Sequence, residues 1–479
     1  MANIDQDIVL KPAVEQLELI RAGKISATEL AEAHIQQIER LNPELNAFAD
    51  FDADRVRAQA RKLEASKEPR GALHGLPVTV KSSIATAGYR CEIGSKIHKG
   101  DVPREDAATV ERLRAAGAVI LGTTNCPEFL MAYETDNLLY GRTGNPWDLD
   151  RSAGGSSGGE SAAIAAGLSA GGLGSDGGGS VRVPAHYTGI CALKPTPGRI
   201  SGRGHLPPCA GPFAILGAIG PMARTIADVS LLFRTVAGYD PLDPFSPPVA
   251  LQEPARDELK ANTIGFFEDD ELVPVTAETR AAVQSAVQAL REAGFRVEPF
   301  RPRTLESLRK LWWKFFVQCG AMLYEPEIFG KRYQLSPIFE EFLGIAEASG
   351  KLTAAELLGA WAELDLLRAK TLQELQGFPV LLCPAAAAPA FRHGERSWTI
   401  EGKKVEYLDA VRYTQWFNAM AMPGAVAPVG QSPEGLPIGV QIVARPFEDE
   451  TALGVAAIVD EAFGYRAPAI AQAEATVRS

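Results

Sequence analysis

Apolar positions recur three and four apart near the amino terminus and two apart further on, so the chain predicts helices first and strands after them. Leu30, His34, Ile38 and Leu41 share one helical face. Ser26-Ala27-Thr28-Glu29 ahead of them is a capping box, in which the serine oxygen and the glutamate satisfy each other's neighbouring backbone N–H groups. Asn42-Pro43 is expected to stop that helix, and a second helix is predicted from Ala53 to Ala65. His34, on the apolar face, reads as a packing residue. The period then changes. Pro77-Val78-Thr79-Val80 is a short β-type run that delivers Lys81 at its C-terminal end, where chemistry collects in α/β proteins. A helix from Asp106 to Ala116 leads into a buried strand at Val119-Ile120-Leu121.

From Gly154 to Gly179 the chain is rich in glycine and serine around an alanine-rich helix, roughly Glu160 to Ala166. Flexible linkers share that composition, but Ala162, Ala163, Ile164, Ala165 and Ala166 make this a packed helix between two special turns. Asp240 to Pro254 reads as a long surface connection. Thr276 starts a helix with Val283, Ala286, Val287 and Leu290 on one face. Gly294 ends it, and a strand follows at Phe295-Arg296-Val297. Pro437 to Ala444 reads as another buried strand. Strands alternating with helices favour an α/β layered fold.

Composition narrows the function. The 479 residues are 46% hydrophobic and 22% charged, with a formal charge of −11 and no basic run. Such a charge repels nucleic acid and anionic membrane surfaces, so neither is expected as a partner. The six cysteines form no C-x-x-C pair, which gives neither a metal nor a redox motif and reads as reduced, mostly buried thiols. The amino terminus lacks a basic segment followed by an apolar one, and the longest uncharged stretches, Cys209 to Ala223 and Phe378 to Phe391, are too short and too broken to span a bilayer. The expectation is a soluble, cytoplasmic protein with no metal and no cofactor. Its oligomeric state, monomer or homodimer, is left open.

Two motifs tempt and fail. Gly172-Leu173-Gly174-Ser175-Asp176-Gly177 fits the dinucleotide fingerprint, but a helix precedes it and no acid follows before Asp228. Gly154-Gly155-Ser156-Ser157-Gly158 fits a nucleophile elbow. Asp148 to Ala153 is too polar for the strand an elbow needs, and His393, the one late histidine, reads equally well as a surface residue. The elbow remains a lesser alternative. H-E-x-x-H and the P-loop pattern are missing.

What remains is Ser156-Ser157 in one glycine turn, Ser180 in another, and Lys81 at a strand end. The stretch GGSSGGESAAIAAGLSAGGLGSDGGGSVRVPA, Gly154 to Ala185, strongly resembles the amidase signature family. LNPELNAF (from Leu41), LHGLPVTVK (from Leu73), TTNCPEF (from Thr123), ALKPTPGRIS (from Ala192), GPMARTIADV (from Gly220) and GLPIGVQIVARPF (from Gly435) extend the likeness over nearly the whole chain. It is weakest between about residues 240 and 430. The resemblance implies one domain over 1–479, built on a central, mixed and mostly parallel β-sheet with helices on both faces. Its parts would be amino-terminal helices (1–70), a signature core (71–238), a variable substrate-side region (239–430) and a strand and helix returning to the core (431–479).

The implied activity is hydrolysis of a carboxylic amide C–N bond through an acyl-enzyme. Ser180 matches the nucleophile, Ser156 the bridging serine on a cis peptide, and Lys81 the base. The N–H groups of Gly177, Gly178, Gly179 and Ser180 would form the oxyanion hole. Leu130, Met131 and Tyr133 would lie near the acyl pocket, and Ser157, Asp176 and Arg182 would support the turns, the last two as a structural ion pair. These residue types make chemical sense. A serine hydroxyl is a weak nucleophile until a base takes its proton, and lysine is such a base only when neutral. Burial beside Val78, Val80 and Ile84 lowers its reference pKa of about 10.4 by up to roughly 3–5 units. A hydroxyl both donates and accepts, so Ser156 can relay the proton.

Three positions depart from the family pattern. Gly177 replaces a larger residue and should loosen the hole, Ser82-Ser83 stand where an acid is common, and Thr188 stands where cysteine is common. The segment from Glu134 to Trp147, together with Val183, points to the stand-alone and fatty-amide-like branch, acting on an aryl, aliphatic or fatty amide. The alternatives are the glutaminase subunit of a tRNA-dependent amidotransferase and a catalytically silent binding protein on the same fold. Trp312, Trp313, Phe315, Phe316, Cys319 and Met322 form an aromatic-rich stretch for which core packing is favoured over pocket lining.

Overall fold

The structure is a computed structural model that describes residues 6–65 and 71–472. Part of the amino-terminal reading (residues 1–5) and the segments 66–70 and 473–479 lie outside the described residues. Eleven strands form one sheet. In chain order they are β1 (Phe48–Phe51), β2 (Pro77–Lys81), β3 (Val119–Thr124), β4 (Gly171–Asp176), β5 (Cys191–Lys194) and β6 (Ala218–Ala223). There follow β7 (Thr263–Phe266), β8 (Arg296–Pro299), β9 (Val380–Pro384), β10 (Gly424–Gln431) and β11 (Pro437–Ala444). Across the sheet they run β1-β3-β2-β4-β6-β5-β10-β11-β9-β7-β8.

The sheet is mixed, as expected, but its parallel share is smaller than expected. Parallel ladders join β2 to β3 and β4 on one side, and β7 to β8 and β9 on the other. The six other neighbouring pairs are antiparallel. A parallel pair needs a crossover connection, whereas an antiparallel pair closes through a turn. β10 and β11 close in that way, with Gly435 at φ 84° between them.

Helices cover both faces. Val380 and Leu382 of β9 join one buried cluster with the helices Ile226–Val236 and Ala277–Glu292, while Leu381 and Cys383 join a second cluster. That period of two is the strand's own. Five helices bear on the site or on the expectations: α1 (Ala27–Leu45), α2 (Gly158–Ala165), α3 (Arg182–Thr188), α4 (Leu305–Trp312) and α5 (Arg412–Ala419). The second cluster holds Leu308 and Trp312 of α4 with Tyr413 and Trp416 of α5.

The capping box forms: Ser26 Oγ accepts from the Glu29 N–H at 3.1 Å and the Glu29 carboxylate from the Ser26 N–H at 2.9 Å. His34 is buried and bonded to Gln16, a packing residue. Two expectations need correction. Asn42-Pro43 does not stop α1, which runs on to Leu45. The stop comes at Asn46, which takes a left-handed φ of 51°, while Asn42 Oδ1 accepts from the N–H groups of Ala47 and Phe48 just beyond the helix. Asp148–Ser152 is a strand despite its polarity, because it pairs with Gly144–Asn145 in a two-stranded ribbon apart from the main sheet, with one further bridge from Arg151 to Arg392.

Candidate active site

Lys81 ends β2 with its side chain fully buried; Ile84 is buried just beyond the strand, while Val78 and Val80 alternate to the opposite face, into the core. Its Nζ stands 2.7 Å from Ser156 Oγ, 3.0 Å from Ser157 Oγ and 3.2 Å from Ser175 Oγ. Burial lowers its pKa to about 8, against the opposing pull of Cys126, Asp176 and Glu160. An ammonium ion loses its hydration in such a place, so the neutral amine gains.

Ser156 lies on the turn between the Asp148–Ser152 ribbon and α2, after a cis Gly155–Ser156 peptide bond. Position 155 has no room for a side chain, since a Cβ there would meet the Ala132 carbonyl oxygen at 2.5 Å. Ser157 precedes α2, and its N–H donates to the Ser180 carbonyl at 3.2 Å, which ties the two glycine turns together.

The second turn runs from the end of β4 to α3, and one buried carboxylate organises it. Asp176 Oδ1 accepts from the Gly179 N–H at 2.7 Å and from Arg182 Nη2 at 2.9 Å. Oδ2 accepts from the Val181 N–H at 3.2 Å and from Arg182 Nε at 3.0 Å. Burial pushes the Asp176 pKa up, but the Arg182 charge and hydrogen bonds outweigh it and hold the carboxyl well below the usual range. The expected clamp is therefore present. It also corrects one expectation: the Gly179 N–H is spent on Asp176 and is not a donor to the cavity. Among the described residues, the N–H groups of Gly177, Gly178 and Ser180 make no such internal bond.

Ser180 opens on two adjoining cavities. The first is lined by Ser156, Ser180, Gly177, Leu130, Met131, His205, Phe213 and Phe316. The second shares Ser180, Leu130, Met131 and Phe316 and adds Tyr133, Gly178 and Trp312. The structure thus brings together Lys81, Ser156, Ser157, Ser180, the glycines before it, Asp176, Arg182, Leu130, Met131 and Tyr133. Ser156 and Ser180 line the same cavity without a hydrogen bond between their hydroxyls.

The aromatic stretch divides between the two readings. Trp312 and Phe316 line the cavities, Phe315 is core, and Met322 is exposed. Gly177 does not loosen the turn, because the Phe316 ring fills the vacated space, with Cε2 2.6 Å from where a Cβ would be. Three neighbours went unread in the sequence. Ser175 sits beside Asp176 in a motif set aside as a decoy. Glu160 is buried, its oxygens accepting from Thr79 and Thr124 at 2.5 and 2.7 Å. Burial raises its pKa to about 7, against those hydrogen bonds and the Lys81 charge. His205 reaches the cavity from a loop between β5 and β6, its Nδ1 2.8 Å from the Pro207 carbonyl, and burial pushes its pKa down to about 4, so the ring is neutral. No periodicity marks a loop residue. Among the described residues, no group of three His, Cys, Asp or Glu side chains stands close enough to hold a metal ion.

Comparison with known proteins agrees with this geometry. A family profile described as Amidase matches residues 29–453. An indoleacetamide hydrolase of Bradyrhizobium diazoefficiens is 33% identical over 464 residues, covering 94% of this chain and 86% of that protein. The A-type chain of a glutamyl-tRNA(Gln) amidotransferase from Roseiflexus castenholzii is 34% identical over 467 residues, covering 91% of this chain and 93% of that protein. The solved structure of a 6-aminohexanoate cyclic dimer hydrolase superposes with a TM-score of 0.85 at 30% identity, covering 97% of this chain and 100% of that one. Matched by that profile over most of its length, and 33% identical to a relative along 94% of it, the chain belongs to the amidase signature family, hydrolases acting on amide C–N bonds.

Proposed function

We propose that the chain is a stand-alone amidase that cleaves a linear carboxamide through an acyl-enzyme on Ser180, with Lys81 as base and Ser156 as relay. The observation that carries this reading is the Lys81 Nζ, buried and 2.7 Å from Ser156 Oγ, behind a cavity onto which Ser180 opens. Neutral Lys81 takes the Ser156 proton as Ser156 takes that of Ser180, and Ser180 Oγ attacks the carbonyl carbon. Rotation of a serine side chain closes the Ser156–Ser180 link as substrate binds, since catalytic hydrogen bonds often tighten only in the complex. The oxyanion falls to the N–H groups of Gly177, Gly178 and Ser180. The C–N bond breaks as the proton returns through Ser156 to the leaving amine, and water then releases the acid by the same relay.

The cavity walls support an uncharged acyl group, and the ring faces of Phe213 and Phe316 favour an aryl one. Glutamine would need partners for its charged ends. The one charged lining residue of the two cavities, Asp176, is committed to Arg182, which weighs against the glutaminase reading. Six unpaired thiols, five of them buried, support a reducing, cytoplasmic setting. A fluorophosphonate probe followed by peptide mapping tests the assignment. Label on Ser180, lost in Ser180→Ala, is expected. Label on Ser156 overturns it, and an unlabelled, inactive protein returns the silent binding reading.

A further inference from the structure

In a trans peptide the carbonyl and the next residue's N–H point in opposite directions across one rigid plane. Cis bonds occur at Gly155–Ser156 and Leu206–Pro207 among the described residues, so the planes of the Gly177–Ser180 turn are all trans. Whatever grips a carbonyl of this turn therefore aims the following N–H away from itself.

Each carbonyl is gripped. Asn418 Nδ2 donates to the Asp176 carbonyl at 3.3 Å, and the Val183 N–H donates to the Gly179 carbonyl at 2.7 Å. Tyr133 Oη and Thr414 Oγ1 both donate to the Gly178 carbonyl, at 2.8 and 2.7 Å, in the plane whose N–H is already held by Asp176. The Gly177 carbonyl has one donor, the indole Nε1–H of Trp312 at 2.8 Å. That plane carries the Gly178 N–H, which is unbonded within the described residues, and Gly178 lines the second cavity with Ser180.

The indole is itself held in place. Phe316 stacks on it with centroids 4.9 Å apart and planes 13° from parallel, and Trp312 leads directly into a π-helical turn, Trp313–Gln318. Such turns recur at functional sites. The fit is close, since a Cβ at Gly178 would lie 2.6 Å from Trp312 Cζ2.

We propose that Trp312 is a positioning residue for the oxyanion hole, its indole N–H holding the Gly177 carbonyl so that the Gly178 N–H faces the reacting carbonyl. This rests on the amidase reading above. The aromatic stretch around Trp312 then contributes to the chemistry as well as to the walls.

The test is a trifluoromethyl ketone bearing the best substrate's acyl group, measured beside the matching trifluoromethyl alcohol. The ketone adds Ser180 Oγ to its carbonyl carbon, its oxygen becomes an oxyanion, and the serine proton passes through Ser156 to Lys81. The alcohol cannot add, so the ketone-to-alcohol affinity ratio separates addition at Ser180, and the hole that holds its oxyanion, from ordinary binding. Trp312→Phe keeps a ring and removes the N–H. It should lower that ratio and kcat together by about 10-fold, part of what loss of a whole donor costs, with KM moving less than about twofold. Thr414→Val removes a donor from the plane with no free N–H and should change the ratio less than about threefold. If Trp312→Phe fails to fold, Phe316→Leu, which frees the indole but keeps its N–H, should lower the ratio by about threefold. An unchanged ratio in the variant that folds, or a change confined to KM, overturns the proposal. A wild-type enzyme that binds ketone and alcohol equally overturns the amidase reading instead.

Discussion

Two stretches of this molecule meet at Ser180 and are built on different terms. The signature stretch, Gly154 to Ala185, is almost wholly buried and made mostly of glycine, alanine and serine. Its turns are closed by short hydrogen bonds between near neighbours in the chain, such as Asp176 to Gly179 and Arg182, while more distant donors meet its carbonyls. The stretch from 305 to 322 is aromatic, shares a turn with solvent, and touches the site through Trp312 and Phe316 from more than a hundred residues away. The first fixes where atoms react. The second decides what reaches them, and through one indole it also reaches into the hydrogen bonds of the first. Chemistry written in local spacing tolerates little change, whereas a wall tolerates whatever volume the opposite wall gives up, as Gly177 does for Phe316.

The sharpest way to break this contrast is to remove the reacting groups. Ser180→Ala and Lys81→Ala should each lower kcat on an aryl amide by roughly 10⁴-fold or more, with little change in thermal unfolding. If Lys81→Ala keeps most of its activity, the division between the two regions is misdrawn. Next is Asp176→Asn, which leaves Arg182 as an unpaired buried charge and should cost about 3–5 kcal/mol in urea unfolding as well as activity. Gly177→Ala probes the seam itself. Its methyl group meets the Phe316 ring, an overpacking of about 1–3 kcal/mol, and the double variant with Phe316→Leu should recover most of the lost kcat/KM. Independent effects in that cycle would deny the match between the two walls. The smallest effect concerns pH. Activity should rise as Lys81 loses its proton, with a midpoint near its pKa of about 8. Glu160 in its anionic form favours the ammonium, so Glu160→Gln should move that limb to lower pH by less than about one unit.

Much of this was legible in the sequence, and the misses have physical causes. Lys81 at a strand end followed from the β-type run before it, and the resemblance placed Ser156 and Ser180 because the motif is local. The ribbon at Asp148–Ser152 escaped because a strand paired apart from the core needs no apolar alternation. Pro43 misled because proline removes a donor without forbidding a last turn, and Asn46 could supply the left-handed stop. Gly179 was taken for a donor since nothing in one dimension says where the Asp176 carboxylate turns. Trp312 and His205 reach the site by tertiary packing alone, and no spacing rule records that.

The base and the nucleophile turn hang from adjacent rungs. Lys81 closes β2, the turn leaves β4, and the two strands are ladder neighbours through Thr79–Gly172 and Val80–Leu173. Neither can shift without tearing the middle of the molecule, so these parts stay still through a turnover. Whatever must swing aside to admit an amide and let an acid and an amine depart is left to the aromatic side.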